Sequence, residues 1–232
     1  SYASSTTYIT GQAVVKAATE LEKRIRTLAC RMLECEEEDL EFDGHVAKNI
    51  KNGQTVTIED IGFKAQCFND FPLQVTESHT SPVSPPPYMA GAVEIELDKE
   101  TGHVEILHYA AVVDCGTVVN PNLARVQVEG GLGQGIGMTL FENVQYTEDG
   151  KLRNNSFMQY KIPTRRDYGA IDVEFRPSFE PTGPFGVKSI GEIVINTPAP
   201  ALADAIHNAT GGYFRELPIT SEKIAMYCEG EE

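Results

Sequence analysis

One acid near the end of the chain stands in apolar company, in Gly186-Val187-Lys188-Ser189-Ile190-Gly191-Glu192-Ile193. Glu192 sits between Gly191 and the run Ile193-Val194-Ile195. A carboxylate so placed either faces solvent at a strand end or is held in a dry pocket. In a pocket, loss of water makes it a stronger base, suited to general-base work near neutral pH. A second candidate is Gly130-Gly131-Leu132-Gly133-Gln134-Gly135-Ile136-Gly137. No placement of G-x-G-x-x-G fits this run, and it continues a helix instead of opening one after a strand, so it is no dinucleotide fingerprint. Each glycine inside a helix costs about 1 kcal/mol relative to alanine. Five together therefore need a reason, which is close backbone approach to another helix or to a bulky ligand. Gln127, one turn earlier, offers an amide with both a donor and an acceptor. The third candidate is Ser1-Tyr2-Ala3-Ser4-Ser5-Thr6-Thr7, whose small hydroxyl residues and backbone N–H groups either cradle an anionic group or fray as a terminus.

Other chemistries lack support. The histidines (His45, His79, His103, His108, His207) are scattered, with no base-and-nucleophile pairing around a serine, so a Ser-His-Asp hydrolase has no motif. The cysteines (Cys30, Cys35, Cys67, Cys115, Cys228) form no CxxC pair, and no histidines stand at zinc spacing. No metal-ligand set is therefore assigned. An odd number of cysteines in a chain this long suits reduced, mostly buried thiols and a cytoplasmic location.

The elements that must position these residues follow from periodicity. Apolar residues at helical spacing predict a helix from Gln12 to about Cys35. Leu40 to Ile50 reads as a hairpin around Asp43-Gly44, and Val56 to Cys67 as a strand passing into a short helix. Phe68 to Pro87 is a Ser-, Thr- and Pro-rich loop. Gly91 to Leu97 and His103 to Val113 alternate around Asp98-Lys99-Glu100-Thr101-Gly102 as a hairpin. Asn120-Pro121 marks a turn before a helix from Leu123 to Phe141. Val144 to Tyr146, Ile171 to Phe175 and Lys188 to Ile195 are strand candidates. Pro198 opens a helix that stops at Gly211-Gly212, and Ser221 to Cys228 closes the chain as a short helix. Strands and helices without regular βαβ alternation predict an α+β fold with a mixed sheet and packed helices. The expected organisation is one domain over 1–232, divisible into 1–87 and 88–232.

The chain has 232 residues, 34 of them acidic against 19 basic, for a net charge of −15. That balance argues against nucleic-acid binding, which needs clustered Lys and Arg. No stretch approaches the ~20 apolar residues of a bilayer-spanning helix. The chain opens at Ser1 with no secretory signal, and a trimmed, processed or partial sequence is expected.

Taken together, the candidate segments carry a resemblance. Asp114-Cys115-Gly116 through Asn120-Pro121, Gln127-Val128-Glu129-Gly130-Gly131 and Gln134-Gly135-Ile136-Gly137 resemble the molybdopterin-binding subunit of the xanthine dehydrogenase family of molybdenum hydroxylases. Lys188-Ser189-Ile190-Gly191-Glu192, followed by Pro198 and Ala201, is similar to that family's active-site glutamate segment. Ala3-Ser4-Ser5-Thr6 followed by Gly11-Gln12-Ala13-Val14 is similar to its pterin-contacting loop and helix, and Lys161-Ile162-Pro163 lies between the glycine-rich and glutamate segments as in the family. The segments keep their order over nearly the whole chain, which is far more specific than any one alone.

The resemblance implies Glu192 as catalytic base, Gln127 as a cofactor hydrogen-bonding residue, and Ala3, Ser4, Ser5 and Thr6 as the loop around molybdenum and pterin. It implies insertion of water-derived oxygen into a C–H bond of an N-heteroaromatic (purine- or nicotinate-like) or aldehyde substrate. The implied cofactor is molybdopterin with Mo, in its cytosine dinucleotide form, with [2Fe–2S] clusters and FAD in partner subunits or domains. Subunits of that family are much longer, so the resemblance implies the C-terminal part of a longer polypeptide or of a split subunit, completed by the remaining part of the molybdenum subunit. Two other readings stand beside it: a non-catalytic assembly module of such a complex, and a carbon-monoxide-oxidising relative.

Overall fold

In the computed structural model, residues 3–67, 72–81 and 83–230 are described. Ser1 and Tyr2 of the terminal candidate, and residues 68–71 and 82 of the expected loop, lie outside the described residues. Compactness divides the chain into Ile9–Pro82 and a unit made of Ser1–Tyr8 with Val83–Glu232.

The Ile9–Pro82 unit is built on helix α1 (Gly11–Leu33), which follows a π turn at Thr6–Thr10. A three-stranded antiparallel sheet follows, β1 (Leu40–Phe42), β2 (Val46–Asn49) and β3 (Thr55–Thr57), and then helix α2 (Ile58–Ala65). The Asp43-Gly44 hairpin forms as its residues predict, with Leu40 opposite Asn49 and Phe42 opposite Ala47. Asp43 holds the turn by accepting the backbone N–H groups of His45 and Val46. Thr57 caps α2: its hydroxyl accepts the Asp60 N–H while the Asp60 carboxylate accepts the Thr57 N–H, a reciprocal box that satisfies two helix-end donors. The core comes from the second half of α1: Leu28, Ala29 and Leu33 pack with Leu40, Ala47, Val56 and Ile61. Earlier in the helical stripe Val14 is exposed, so the periodicity of α1 does not translate into burial at its N-terminal end.

The larger unit carries the predicted mixed sheet, in the order β4 (Tyr88–Asp98), β5 (His103–Asp114), β6 (Ala170–Phe175). β4 and β5 are antiparallel with an irregularity at Glu94/Ile95, whereas β5 and β6 run parallel, from His108 opposite Ala170 to Val113 opposite Phe175. Helices α3 (Pro121–Leu140), α4 (Pro198–Thr210) and α5 (Ser221–Glu229) complete it. Asn120 and Pro121 prove to be the cap and first residue of α3: the Asn120 side chain accepts the Leu123 N–H, and proline needs no partner for an N–H it lacks. Val128, Leu132, Ile136 and Leu140 recur every fourth residue on α3 and are buried. Gly211 ends α4 in the left-handed region (φ 80), a conformation glycine adopts at little cost.

Two predicted strands do not form. Val144–Tyr146 makes only an isolated bridge, Tyr146 to Leu152, because Val144 and Tyr146 are exposed and find no surface to pack on. Lys188–Ile195 is not a strand either. It runs from a bridge at Val187, opposite Gly116, into a 3-10 turn at Ile193–Ile195 that leads directly to α4.

Candidate functional site

The glutamate segment is held at both ends. At its start, Gly116 and Val187 form an antiparallel bridge, Lys188 N–H donates to the Cys115 carbonyl (2.8 Å), and Thr117 N–H donates to Gly186 O (2.9 Å). Lys188 Nζ then reaches Asp114 Oδ2 at 2.8 Å. Asp114 also accepts the Gly116 N–H and the Ser178 hydroxyl. Burial by itself would push the Asp114 carboxyl up, but the bonds from Lys188, Gly116 and Ser178 outweigh it and hold the carboxyl below its ordinary range. Burial, with the Asp114 charge beside it, raises the neighbouring Cys115 thiol, keeping that sulfur protonated at neutral pH.

At its far end the segment lies on the glycine-rich stretch of α3. A Cβ on Gly131 would fall inside the Val194 side chain, and one on Gly135 would stand 2.6 Å from Pro198 Cγ. Gly133 faces the Tyr168 ring at 3.1 Å. These three glycines therefore serve packing within the chain. Gly131 and Gly135 let the backbone that follows Glu192 approach α3 more closely than any side chain would allow. Gly130 differs: nothing lies within 4 Å of a Cβ there.

Between the anchors, two clefts lie back to back. The first, about 360 Å3, is walled by residues 115–120, the start of α3 and residues 187–191, with Ser4, Thr6 and Thr7 on its rim. The second, about 520 Å3, runs between α3 and residues 191–195 and is lined by Gly130, Gln134 and Glu192 among others. Gln127 and Gly191 belong to both. Gln127 Nε2 donates to the Gly191 carbonyl at 3.1 Å, and this hydrogen bond, with Leu123, stands in the partition the two clefts share.

The predicted residues are thus brought together unevenly. Gln127 and Glu192 share the second cleft, and Ser4, Thr6 and Gln127 share the first. Ala3 and Ser5 line neither, and Ala3 is exposed. Glu192 is exposed on the open cleft instead of sitting in a dry pocket. Ala3 (φ 47) and Ser4 (φ 55) are consecutive left-handed residues, a conformation costly for anything but glycine. The turn they make sets Ser4 against Gly191, where a Cβ would be 2.8 Å from Ser4 Oγ. Ser4 Oγ itself is buried with no hydrogen-bond partner. Sequence reasoning gave no role to Asp114, Lys188, Asn120 or Ser189. All four lie inside the motif segments, and the opposite charges of Asp114 and Lys188 were the available signal.

These features fit a large anionic cofactor. The orphaned Ser4 hydroxyl and a rim of Thr6, Thr117, Asn120 and Ser189 supply donors to a group rich in oxygen and nitrogen. Among the described residues no group of three or more His, Cys, Asp and Glu side chains forms a metal site.

Comparison with known proteins agrees. The family profile of the molybdopterin cofactor-binding domain matches residues 1–169. The chain is 34% identical over 239 residues to the gamma subunit of the 6-hydroxypseudooxynicotine dehydrogenase complex of Paenarthrobacter nicotinovorans, covering 99% of this chain and 30% of that subunit. It is 30% identical over 228 residues to the xanthine dehydrogenase molybdenum-binding subunit of Escherichia coli O157:H7, covering 96% of this chain and 30% of the relative. Quinoline 2-oxidoreductase from Pseudomonas putida 86 superposes with a TM-score of 0.81 at 26% identity, over 99% of this chain and 30% of the other. The chain spans less than a third of the length of these relatives. The profile ends before Glu192, but the pairwise matches run over nearly the whole chain. With the motif order and these matches in accord, the chain belongs to the molybdopterin cofactor-binding domain family.

Proposed function

We propose that this chain supplies the catalytic base and part of the pterin pocket of a molybdenum hydroxylase that inserts water-derived oxygen into a C–H bond. The observation that carries this reading is the Gln127–Gly191 hydrogen bond, which puts Glu192 on one face of a thin partition and the hydroxyl-lined cleft on the other. Molybdopterin, when bound, contributes the molybdenum redox chemistry. Ser4 and Thr6 line the cleft that takes the pterin. Gln127 fixes the Gly191 carbonyl and so the direction in which the chain leaves for Glu192. Lys188 and Asp114 tie the same segment to the strand end at β5. Glu192, at the N-terminal end of the 3-10 turn Ile193–Ile195 and open to the second cleft, accepts a proton from the oxygen that attacks the substrate carbon.

Relatives named for xanthine and quinoline support an N-heteroaromatic substrate, with an aldehyde as the alternative. The cytosine dinucleotide form of the cofactor, partner subunits carrying [2Fe–2S] clusters and FAD, the remaining part of the molybdenum subunit and a cytoplasmic setting complete the proposal. The five unpaired thiols suit that setting. The test is Glu192→Gln in the complete enzyme, assayed for molybdenum content and for metal reduction by substrate. Loss of reduction with full molybdenum content supports the reading, and unchanged reduction overturns it.

A further inference from the structure

None of the chemistry above uses the cysteines of the Ile9–Pro82 unit, and two of them are placed together by the way α1 ends. Glu34 adopts the left-handed conformation (φ 48, ψ 49), and its N–H turns back to the Cys30 carbonyl. Cys35 N–H donates to the same carbonyl at 3.1 Å. The Cys35 bond is the 6→1 bond of a Schellman-type ending, whose two end positions are neighbours on the helix terminus. Here both positions are cysteine, so the ending of α1 brings the two residues to the same helix end. Both sulfurs are unbridged, both residues are half-buried, and both line an open cavity of about 470 Å3 together with Thr27, Arg31 and Asn49. A small solute can reach them. A disulfide needs Cα atoms about 4.4–6.8 Å apart, and the 3.1 Å bond from the Cys35 N–H to the Cys30 carbonyl brings the two backbones into direct contact. No third ligand joins them in a metal-binding group among the described residues.

We propose that Cys30 and Cys35 form a vicinal dithiol that closes to an intramolecular disulfide on exposure to a peroxide. The chemistry balances in two steps. The Cys35 sulfur attacks one peroxide oxygen, the O–O bond breaks, the leaving hydroxide takes the thiol proton to become water, and Cys35 becomes a sulfenic acid. The Cys30 sulfur then attacks the Cys35 sulfur, the S–O bond breaks, an S–S bond forms, and a second water leaves with the Cys30 proton. Two thiols and one peroxide give one disulfide and two waters, with two electrons passing from sulfur to peroxide. Burial, then the Cys35 sulfur and the nearby Glu37 and Glu36 charges, push the Cys30 thiol up to about 11. Cys30 therefore stays protonated at neutral pH and takes the resolving role.

The sequence makes the test direct. Arg31 lies between the two cysteines, so trypsin separates Thr27–Arg31 from Met32–Lys48 unless a disulfide joins them. The complete enzyme is treated with hydrogen peroxide, alkylated to block free thiols, digested without reduction and read by mass spectrometry. The expected result is a linked peptide pair, lighter by two hydrogen atoms than the two peptides summed, that separates on adding dithiothreitol. Cys67→Ser should leave the pair intact, and either Cys30→Ser or Cys35→Ser should abolish it. In Cys30→Ser the stranded Cys35 sulfenic acid should be trapped by dimedone. Folding of each variant is checked by circular dichroism. The proposal fails if Cys30 and Cys35 remain fully alkylatable after Cys67 has been oxidised, if either pairs with another cysteine, or if Cys35 goes on to sulfinic acid in the unsubstituted protein.

Discussion

Lys188 and Asp114 meet at 2.8 Å although 74 positions separate them in the chain, and their side chains keep only 10% and 21% of their exposure. The ammonium also lies 5.3 Å from the centroid of the Tyr88 ring, so it is fixed by a charge on one side and an aromatic face on another. The pair fastens the segment that leads to Glu192 onto the end of β5. A half-buried lysine in this position depends on its carboxylate, because desolvation makes an uncompensated charge expensive.

Asp114→Asn should therefore destabilise the protein by ~2 kcal/mol at neutral pH, toward the low end for removing one partner of a desolvated charge pair. The pH dependence has a definite sign. A carboxyl held below its ordinary range in the folded state contributes stability in full above its unfolded value, about 3.9, and loses it as pH falls through the folded value. Urea unfolding at pH 7 and at pH 3 should show the gap between wild type and Asp114→Asn shrinking on acidification. A gap that is constant with pH would contradict this assignment.

Two adjacent glycines should behave oppositely. Gly131→Ala places a methyl group inside the space of Val194, so the turn bearing Glu192 has to shift, at a cost of about 1–3 kcal/mol. Gly130→Ala meets nothing within 4 Å and should gain up to about 1 kcal/mol from helix propensity. Adding Val194→Ala should recover part of the loss in Gly131→Ala, since it vacates the contested volume. Thermal unfolding of the three variants decides it, and equal effects at 130 and 131 would count against the packing account.

The elements that sequence made legible are those whose signal is local. The β4–β5 hairpin alternates because each strand has two unlike faces, and Asp43-Gly44, Asn120-Pro121 and Gly211 carry their own backbone chemistry. Lys188–Ile195 was misread because its run of β-branched residues favours a strand by propensity, whereas its conformation is set by Gly131 and Gly135 in another helix. Nothing in the segment itself records those partners. The same limit applies to the site. Glu192, Gln127 and Ser4 could be named from motif order, but the partition between the clefts depends on a hydrogen bond spanning 64 positions. The motif did not distinguish Ala3 and Ser5, which line neither cleft, from Ser4 and Thr6, which do.

Gln127→Glu tests that partition. Glutamate keeps the length of the side chain but has no N–H to give, so it sets two acceptors face to face at the Gly191 carbonyl. The loss of one hydrogen bond, about 1 kcal/mol, should leave global stability nearly unchanged. Molybdenum content of the complete enzyme should nevertheless fall, because both clefts share this wall. Full metal content together with wild-type turnover would show that Gln127 is a surface residue with no part in the pocket.

The sharpest prediction concerns Glu192. Its side chain opens onto the second cleft, one residue beyond the Gly191 carbonyl that Gln127 holds and just before the turn that Val194 anchors against Gly131. Its backbone is thus fixed on both sides while its carboxylate stays free to meet a substrate. Glu192→Gln keeps the volume and the hydrogen-bonding capacity but removes the proton acceptor. General-base catalysis contributes roughly 10²–10⁴-fold, so turnover should drop by at least about 10²-fold with fold and molybdenum content preserved. The loss should fall on the half-reaction in which substrate reduces the metal and spare reoxidation by the electron acceptor, because only the first needs a proton removed from the attacking oxygen. Glu180→Gln serves as the control: Glu180 accepts bonds from the Thr182 N–H and hydroxyl and lines neither cleft. Rapid-mixing measurement of metal reduction separates the outcomes. If the Glu192→Gln enzyme, fully loaded with cofactor, were reduced by substrate at the wild-type rate, the assignment of Glu192 as the base would be wrong.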